Sequence, residues 1–190
     1  MIRKFFAVSC LLLAIASNST AYTIDDFEDG LLKNKPSWFS FDKISLRAVS
    51  TRDLRDGESD KIGAYALLVG GATKDWYVGG IGVVLGLDAA SARSFNLDIY
   101  GYGEGSGKIK VELYDGNKNN TEIETKDDLW VKELEINWYG WRQVSFPLSE
   151  FKNMGTKKNR SGELAKLQLI FISTTQMGGI NCALDNLRVD

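Results

Sequence analysis

The 190-residue chain has no histidine. That absence removes the commonest general base, the usual nitrogen ligand of transition metals, and the Ser-His and Cys-His nucleophile pairs. Cysteine is scarce. Cys10 falls in an N-terminal stretch with the character of a leader, which leaves Cys182 without an internal disulfide partner. Flanked by Ile180 and Leu184, Cys182 is expected to be a small buried hydrophobe. Neither sign of charge dominates: 23 Lys and Arg stand against 25 Asp and Glu, a net −2. The basic stripe needed for nucleic-acid binding is therefore missing. Long apolar runs are missing as well. Phe5 to Ala16 spans about 12 residues, against the roughly 20 that cross a bilayer.

The apolar stretch sits where a secretory signal would. Arg3 and Lys4 supply its positive start, and Ser19-Thr20-Ala21 supplies small residues before a cleavage site. Residues 1–21 are thus expected to be a signal peptide, and residues 22–190 one exported domain, periplasmic or extracellular, with no membrane span. Ala7-Val8-Ser9-Cys10 loosely fits a lipidation site, but almost no apolar run precedes it.

From Tyr22 onward no segment carries convincing helical periodicity. Short runs of Val, Ile, Tyr and Phe alternate with glycine-rich turns, the pattern of a two-sheet all-β sandwich or jelly roll. Ser37 to Phe41 opens the series. Trp76 to Leu87 is interrupted by Gly79-Gly80 and Gly82, where a bulge or a close backbone approach is expected. Ser94 to Tyr102 sets Phe95, Leu97 and Ile99 on one face, with Asn96, Asp98, Tyr100 and Tyr102 on the other. Lys108 to Tyr114 repeats the alternation, and the glycine-rich turn between them predicts an antiparallel hairpin. Pro147 places Arg142 to Leu148 at an edge or at its own end. Residues 153–163 form a basic loop. Leu164 to Ser173 is apolar on both faces and is expected to be a central strand.

Two constellations carry possible chemistry. Acidic residues sit inside apolar strand patterns at both chain ends, in Tyr22 to Gly30 and in Ile180 to Val189. A carboxylate beside a core strand needs a counter-ion, because an unpaired buried charge is costly. The two ends are expected to meet around a hard cation such as calcium; the plainer alternative is that these are turn and edge carboxylates. The second constellation is aromatic. Flat rings beside hydrogen-bonding side chains suit sugars, whose C–H faces stack on them. Asp98, Tyr100 and Tyr102 are expected to share a face with Glu112 and Tyr114 on the paired strand, with Trp138 and Tyr139 forming a rim. Trp38 and Trp76 suit the core better. Asp98 with Glu112, or Asp127-Asp128, supply the paired carboxylates of glycoside hydrolysis, but nothing in the sequence raises the pKa of either. Gly101 to Gly105 has no following helix to make a phosphate loop. A non-catalytic protein is expected.

Three motifs occur in order: Asp26-Phe27-Glu28-Asp29-Gly30, then Gly140-Trp141-Arg142-Gln143-Val144-Ser145-Phe146-Pro147-Leu148-Ser149-Glu150-Phe151, then Leu184-Asp185-Asn186-Leu187. The set resembles the carbohydrate-binding family 11 modules and the related complex I intermediate-associated proteins, of the galactose-binding-like β-sandwich group, over essentially all of residues 22–190. The resemblance implies a jelly roll, a structural Ca2+ near the chain ends, and a β-glucan-like polysaccharide on the concave sheet. By motif, Glu28 and Asp185 match acidic positions that look like calcium ligands in such modules. Asp26 shares the face of Glu28, and Asp60 lies in the loop before Gly63, where the family often adds a ligand. Trp141 matches the family's core position. The complex I-associated relatives imply an alternative, an envelope scaffold or assembly factor that binds a protein partner with the same fold. A small lyase or hydrolase is a third.

Overall fold

The structure, a computed structural model, describes residues 21–58, 62–116, 128–175 and 178–190. Asp60 and Asp127 lie outside the described residues. Strands follow one another as β1 (Tyr22–Asp25), β2 (Phe39–Asp42), β3 (Ile44–Ser50), β4 (Gly57–Glu58), β5 (Tyr65–Ala72), β6 (Tyr77–Asp88) and β7 (Ser94–Tyr102). The series continues with β8 (Lys108–Asp115), β9 (Leu129–Glu135), β10 (Tyr139–Pro147), β11 (Lys152–Asn153), β12 (Glu163–Ile172) and β13 (Gly179–Val189). Two 3-10 turns lie between strands, Thr51–Asp53 and Leu148–Glu150, and no α-helix occurs among the described residues.

These strands make a two-sheet β-sandwich, as the alternation implies. The first sheet runs β3-β5-β13-β7-β10-β4, with β1 added against β13; the second runs β11-β9-β8-β12-β6-β2. Pairing is antiparallel except for a two-residue bridge between β4 and β10. Phe95, Leu97, Ile99 and Leu184 from the first sheet meet Ile81, Val111, Leu167, Leu169 and Phe171 from the second in one core. β12, expected to be a central strand, lies between β8 and β6. Pro147 ends β10, where its missing N–H breaks no ladder bond.

The chain ends do meet. Tyr22 pairs with Val189 and Asp25 with Leu187. Within β13, Asn186 takes a φ of 50°, and the register against β7 slips between Asp185 and Arg188. This bulge returns Leu187 and Val189 to the core after Asp185 has pointed outward.

One expectation is overturned. β7 and β8 are not a hairpin; β7 lies in the first sheet and β8 in the second. Alternation shows only that each strand has one apolar face, and two strands facing each other across a core satisfy it as well as two neighbours do. The turn crosses the sandwich close to β13. A Cβ on Gly107 (φ 103°) would sit 2.4 Å from Ile180 Cδ1.

The outer face of the first sheet is covered as well. Residues 50–58 and 62–64 lie over it, and Leu54 closes a second small core with Ala66, Tyr100, Trp141 and Ala183. Trp141 Nε1 donates to the Leu54 carbonyl at 2.6 Å.

Candidate ligand-binding face

Register places the outer face of the second sheet residue by residue. One row crosses all six strands as Phe39, Gly82, Gln168, Glu112, Val131 and Lys152. The next reads Phe41, Gly80, Ile170, Lys110 and Glu133. Flanking rows carry Val84, Lys166, Tyr114 and Leu129 on one side, and Tyr77, Ile172, Lys108 and Glu135 on the other. At about 4.8 Å between strands the face is roughly 24 Å wide.

The glycines of β6 shape this face. A Cβ on Gly80 would lie 2.3 Å from Phe41 Cζ, and one on Gly82 would lie 2.4 Å from Phe39 Cζ. Both rings therefore lie over bare backbone and reach the next strand, where Ile170 and Gln168 border the same two glycines. Their centroids are 6.3 Å apart with planes 31° apart, and Phe39 is 39% exposed. Two apolar rings, supported from below and open above, are a stacking platform.

Polar groups stand beside the rings. Glu112 is buried and ion-paired to Lys110 at 2.7 Å. Tyr114 Oη lies 2.9 Å from Gln168 Oε1 and 3.2 Å from Glu112 Oε2. Burial and then the Glu112 charge push the Tyr114 pKa up to about 12, so it stays a neutral phenol. Lys166 Nζ sits 4.0 Å from the Tyr114 ring centroid. At the other end, Tyr77 donates to Asp42 at 2.5 Å; burial first, then that carboxylate, push its pKa to about 12. Beyond Lys110 the face continues into a hollow of ≈ 440 Å³ lined by Leu129, Val131 and Met154.

The residues proposed from sequence for one site are divided between the two sheets. Glu112 and Tyr114 come together here. Asp98 and Tyr100 point outward from the first sheet, as their alternation requires, but are 0% and 1% exposed, and Leu54 and Ile62 of the covering segment pack in the cluster that holds Tyr100. Tyr102 and Tyr139 pair across β7 and β10 on that same sheet, exposed and remote in topology from Glu112. Trp138 is no rim residue: it is buried in the core, with the Arg142 guanidinium 4.5 Å from its ring centroid. Sequence reasoning missed Phe39, Phe41, Tyr77 and Gln168. It assigned Trp76 to the core, where Trp38 does belong, but Trp76 is 54% exposed in the turn before Tyr77.

The acidic constellation is partly assembled. Asp26 is exposed, and its Oδ1 accepts the Glu28 N–H at 3.3 Å. Glu28 accepts the N–H groups of Ala64 and Tyr65, both at 3.0 Å, fastening the chain start to the covering segment. Asp185 lies directly opposite Asp98 on the neighbouring strand. Asp98 Oδ1 and Asp185 Oδ2 are both buried without a hydrogen-bond partner among the described residues. Burial raises the Asp185 pKa to about 7; the Asn186 N–H opposes this, and the charges of Asp98 and Glu28 add to it. Among the described residues no three His, Cys, Asp or Glu side chains form a metal cage.

No protein-family profile and no sequence among the curated proteins matches the chain. Solved structures do. A family 11 carbohydrate-binding module from Clostridium thermocellum, in complex with a β-1,3-1,4-mixed-linked tetrasaccharide, superposes with a TM-score of 0.62 at 18% identity, covering 89% of this chain and 94% of that one. A carbohydrate-binding module (CBM28) specific for non-crystalline cellulose gives 0.53 at 14% identity, covering 90% and 96%. An exo-β-agarase gives 0.62 at 14% identity over 88% of this chain, which spans 25% of that enzyme. The likeness is one of fold. The chain has the β-sandwich of carbohydrate-binding modules, and at these identities no binding residue is carried across.

Proposed function

We propose that the protein is an exported, non-catalytic module that binds an uncharged, β-glucan-like polysaccharide on the outer face of the β11-β9-β8-β12-β6-β2 sheet. The observation that carries this reading is the Phe39 and Phe41 pair laid over Gly82 and Gly80. Such rings offer a sugar its C–H contact, while Gln168, Glu112 and Tyr114 stand next to them to meet hydroxyl groups. Lys110 with Glu112 and Lys108 with Glu133 neutralise each other, so the face selects no charged chain. Glu112, held by Lys110, is a fixed acceptor. The fold likeness supports the reading, since one neighbour holds a mixed-linked tetrasaccharide and another is specific for non-crystalline cellulose. The leader pattern of residues 1–21 supports export.

Calcium belongs to the same proposal. The two unpartnered oxygens of Asp98 and Asp185 form a hard donor set with no nitrogen or sulfur, which suits calcium over a transition metal. Asp98 and Asp185 would hold the ion, with Glu28 and backbone carbonyls completing the shell. Its role is to neutralise buried charge where the chain ends and the covering segment meet.

Native electrophoresis through gels containing mixed-linkage β-glucan, amorphous cellulose or polygalacturonate tests the binding site. Retardation by a neutral glucan is expected, lost in Phe41→Ala and weakened in Gln168→Ala, but kept in Tyr139→Ala. Unchanged mobility of folded protein in every neutral glycan refutes the function, and loss in Tyr139→Ala alone refutes the location.

A further inference from the structure

We propose that a cavity at one end of the sandwich is a separate binding site for an oxyanion: a carboxylate or sulfate ester on an acidic glycan, or free phosphate or sulfate. The cavity has a volume of ≈ 610 Å³ and shares no residue with the aromatic platform. Three cationic side chains line it, Arg93, Lys158 and Arg160, and among the described residues none of the lining side chains is acidic. Lys158 and Arg160 belong to the basic loop before β12, which the sugar-binding reading leaves without a role.

Arg160 and Trp130 make this more than a charged surface. Arg160 is half-buried and makes no ion pair among the described residues. Burial lowers its pKa, and the carboxylate that opposes this, Asp115, is already fully engaged. Both Asp115 oxygens are occupied by Lys157 (2.7 Å), the Ser161 N–H and hydroxyl (2.6 Å each) and the Gly162 N–H (3.2 Å). A guanidinium withdrawn from water without a counter-ion is costly, and an incoming anion removes that cost. Trp130, on the inward side of β9, also lines the cavity. It is 7% exposed, and its Nε1–H is buried with no acceptor among the described residues. Indole N–H is a donor only, so the group that completes it must be an acceptor. The Ser149 hydroxyl and the Asn159 amide add neutral donors. Cations, an orphan donor and no acid among the described lining residues suit an oxyanion rather than a metal.

The inference is independent of the outer-face reading. Its test follows the five indole N–H signals of 15N-labelled protein during titration with sodium sulfate and, separately, inorganic phosphate, at ionic strength held constant with sodium chloride. Trp130→Phe assigns the reporting signal. A saturable shift of the Trp130 resonance is expected, with binding weakened about tenfold in Lys158→Gln and further in Lys158→Gln/Arg160→Gln, as loss of charge-assisted bonds requires. Phe41→Ala leaves it unchanged. Oligogalacturonate binding more tightly than phosphate identifies a glycan-borne acid; phosphate binding as tightly or more so identifies a free anion. No saturable shift beyond chloride overturns the proposal. So does a titration that Lys158→Gln, with its thermal midpoint unchanged, leaves as in the wild type.

Discussion

Gly80→Ala separates the architecture of the platform from the stability of the fold. The added methyl would meet Phe41 Cζ at 2.3 Å and Cε2 at 2.9 Å, while Ile170 Cδ1 lies at 3.0 Å. The first two atoms are the far end of a ring on an edge strand, with solvent on its other side. The ring can lift, so the overpacking penalty falls at the low end of its usual range, about 1 kcal/mol. Binding responds differently. Covering one ring face with a sugar removes on the order of 60 Å² of apolar surface from water, worth about 1.5 kcal/mol at ~25 cal/mol per Å². That is about tenfold in Kd. Gly80→Ala should therefore weaken glucan binding nearly as much as Phe41→Ala, while urea denaturation shows a loss of only about 1 kcal/mol. Calorimetric titration of both single variants and the double variant closes a double-mutant cycle. If the glycine acts through Phe41, the double variant binds no worse than Phe41→Ala. Additive losses, or full affinity in Gly80→Ala beside a loss in Phe41→Ala, refute the claim that the glycine floor positions the ring.

Other perturbations have equally definite outcomes. Gly57→Ala should cost 2 kcal/mol or more by the ~1–3 kcal/mol scale of overpacking, because its Cβ would lie 2.2 Å from the Trp141 backbone nitrogen at a φ of 100°; a urea midpoint within error of wild type contradicts this. Removing calcium with a chelator should lower the thermal midpoint of the wild type and leave Asp185→Asn unmoved; equal responses count against Asp185 as a ligand. Asp115→Asn should destabilise by about 3 kcal/mol at pH 7, since it breaks a buried pair and leaves Lys157 without its main partner. Burial alone would raise the Asp115 pKa, but the Lys157 and Ser161 bonds outweigh it and hold it below the usual 3.8. A lowered folded-state pKa gives stability that is complete above 3.8 and lost as pH falls through the folded value. The gap between wild type and Asp115→Asn should therefore narrow on acidification, as paired urea curves would record.

How far the sequence could be read depended on what each signal encodes. Alternation in Phe95, Leu97 and Ile99 and in Ile109, Val111 and Leu113 identified inward faces, and all six are core residues. Alternation says nothing of which sheet a strand joins, so Tyr100 and Tyr114 were set side by side although a sheet crossover separates them. Nor does it say whether an outward face reaches water. Asp98 and Tyr100 point outward yet are closed off under residues 50–58 and 62–64, whose polar composition gave no hint that Leu54 would anchor a second core. The meeting of the chain ends was legible because acids inside apolar strands demanded an explanation, and β1 does pair with β13.

The platform was half-visible. Gly80 and Gly82 sit two apart in a strand pattern, so they share a face, and a strip without side chains on a sheet must be filled from a neighbour. Phe39 and Phe41 are also two apart and therefore also share a face. Two paired strands, one with bare positions and one with large rings at the same spacing, fit in one register, which the structure adopts with Phe39 opposite Gly82 and Phe41 opposite Gly80. What the sequence withheld was that β2 pairs with β6 at all, a contact across some 40 residues with no local signal. Once that pairing is given, the rings have nowhere to lie but over the glycines. Their second faces are then left to solvent, where a stacking ligand can reach them.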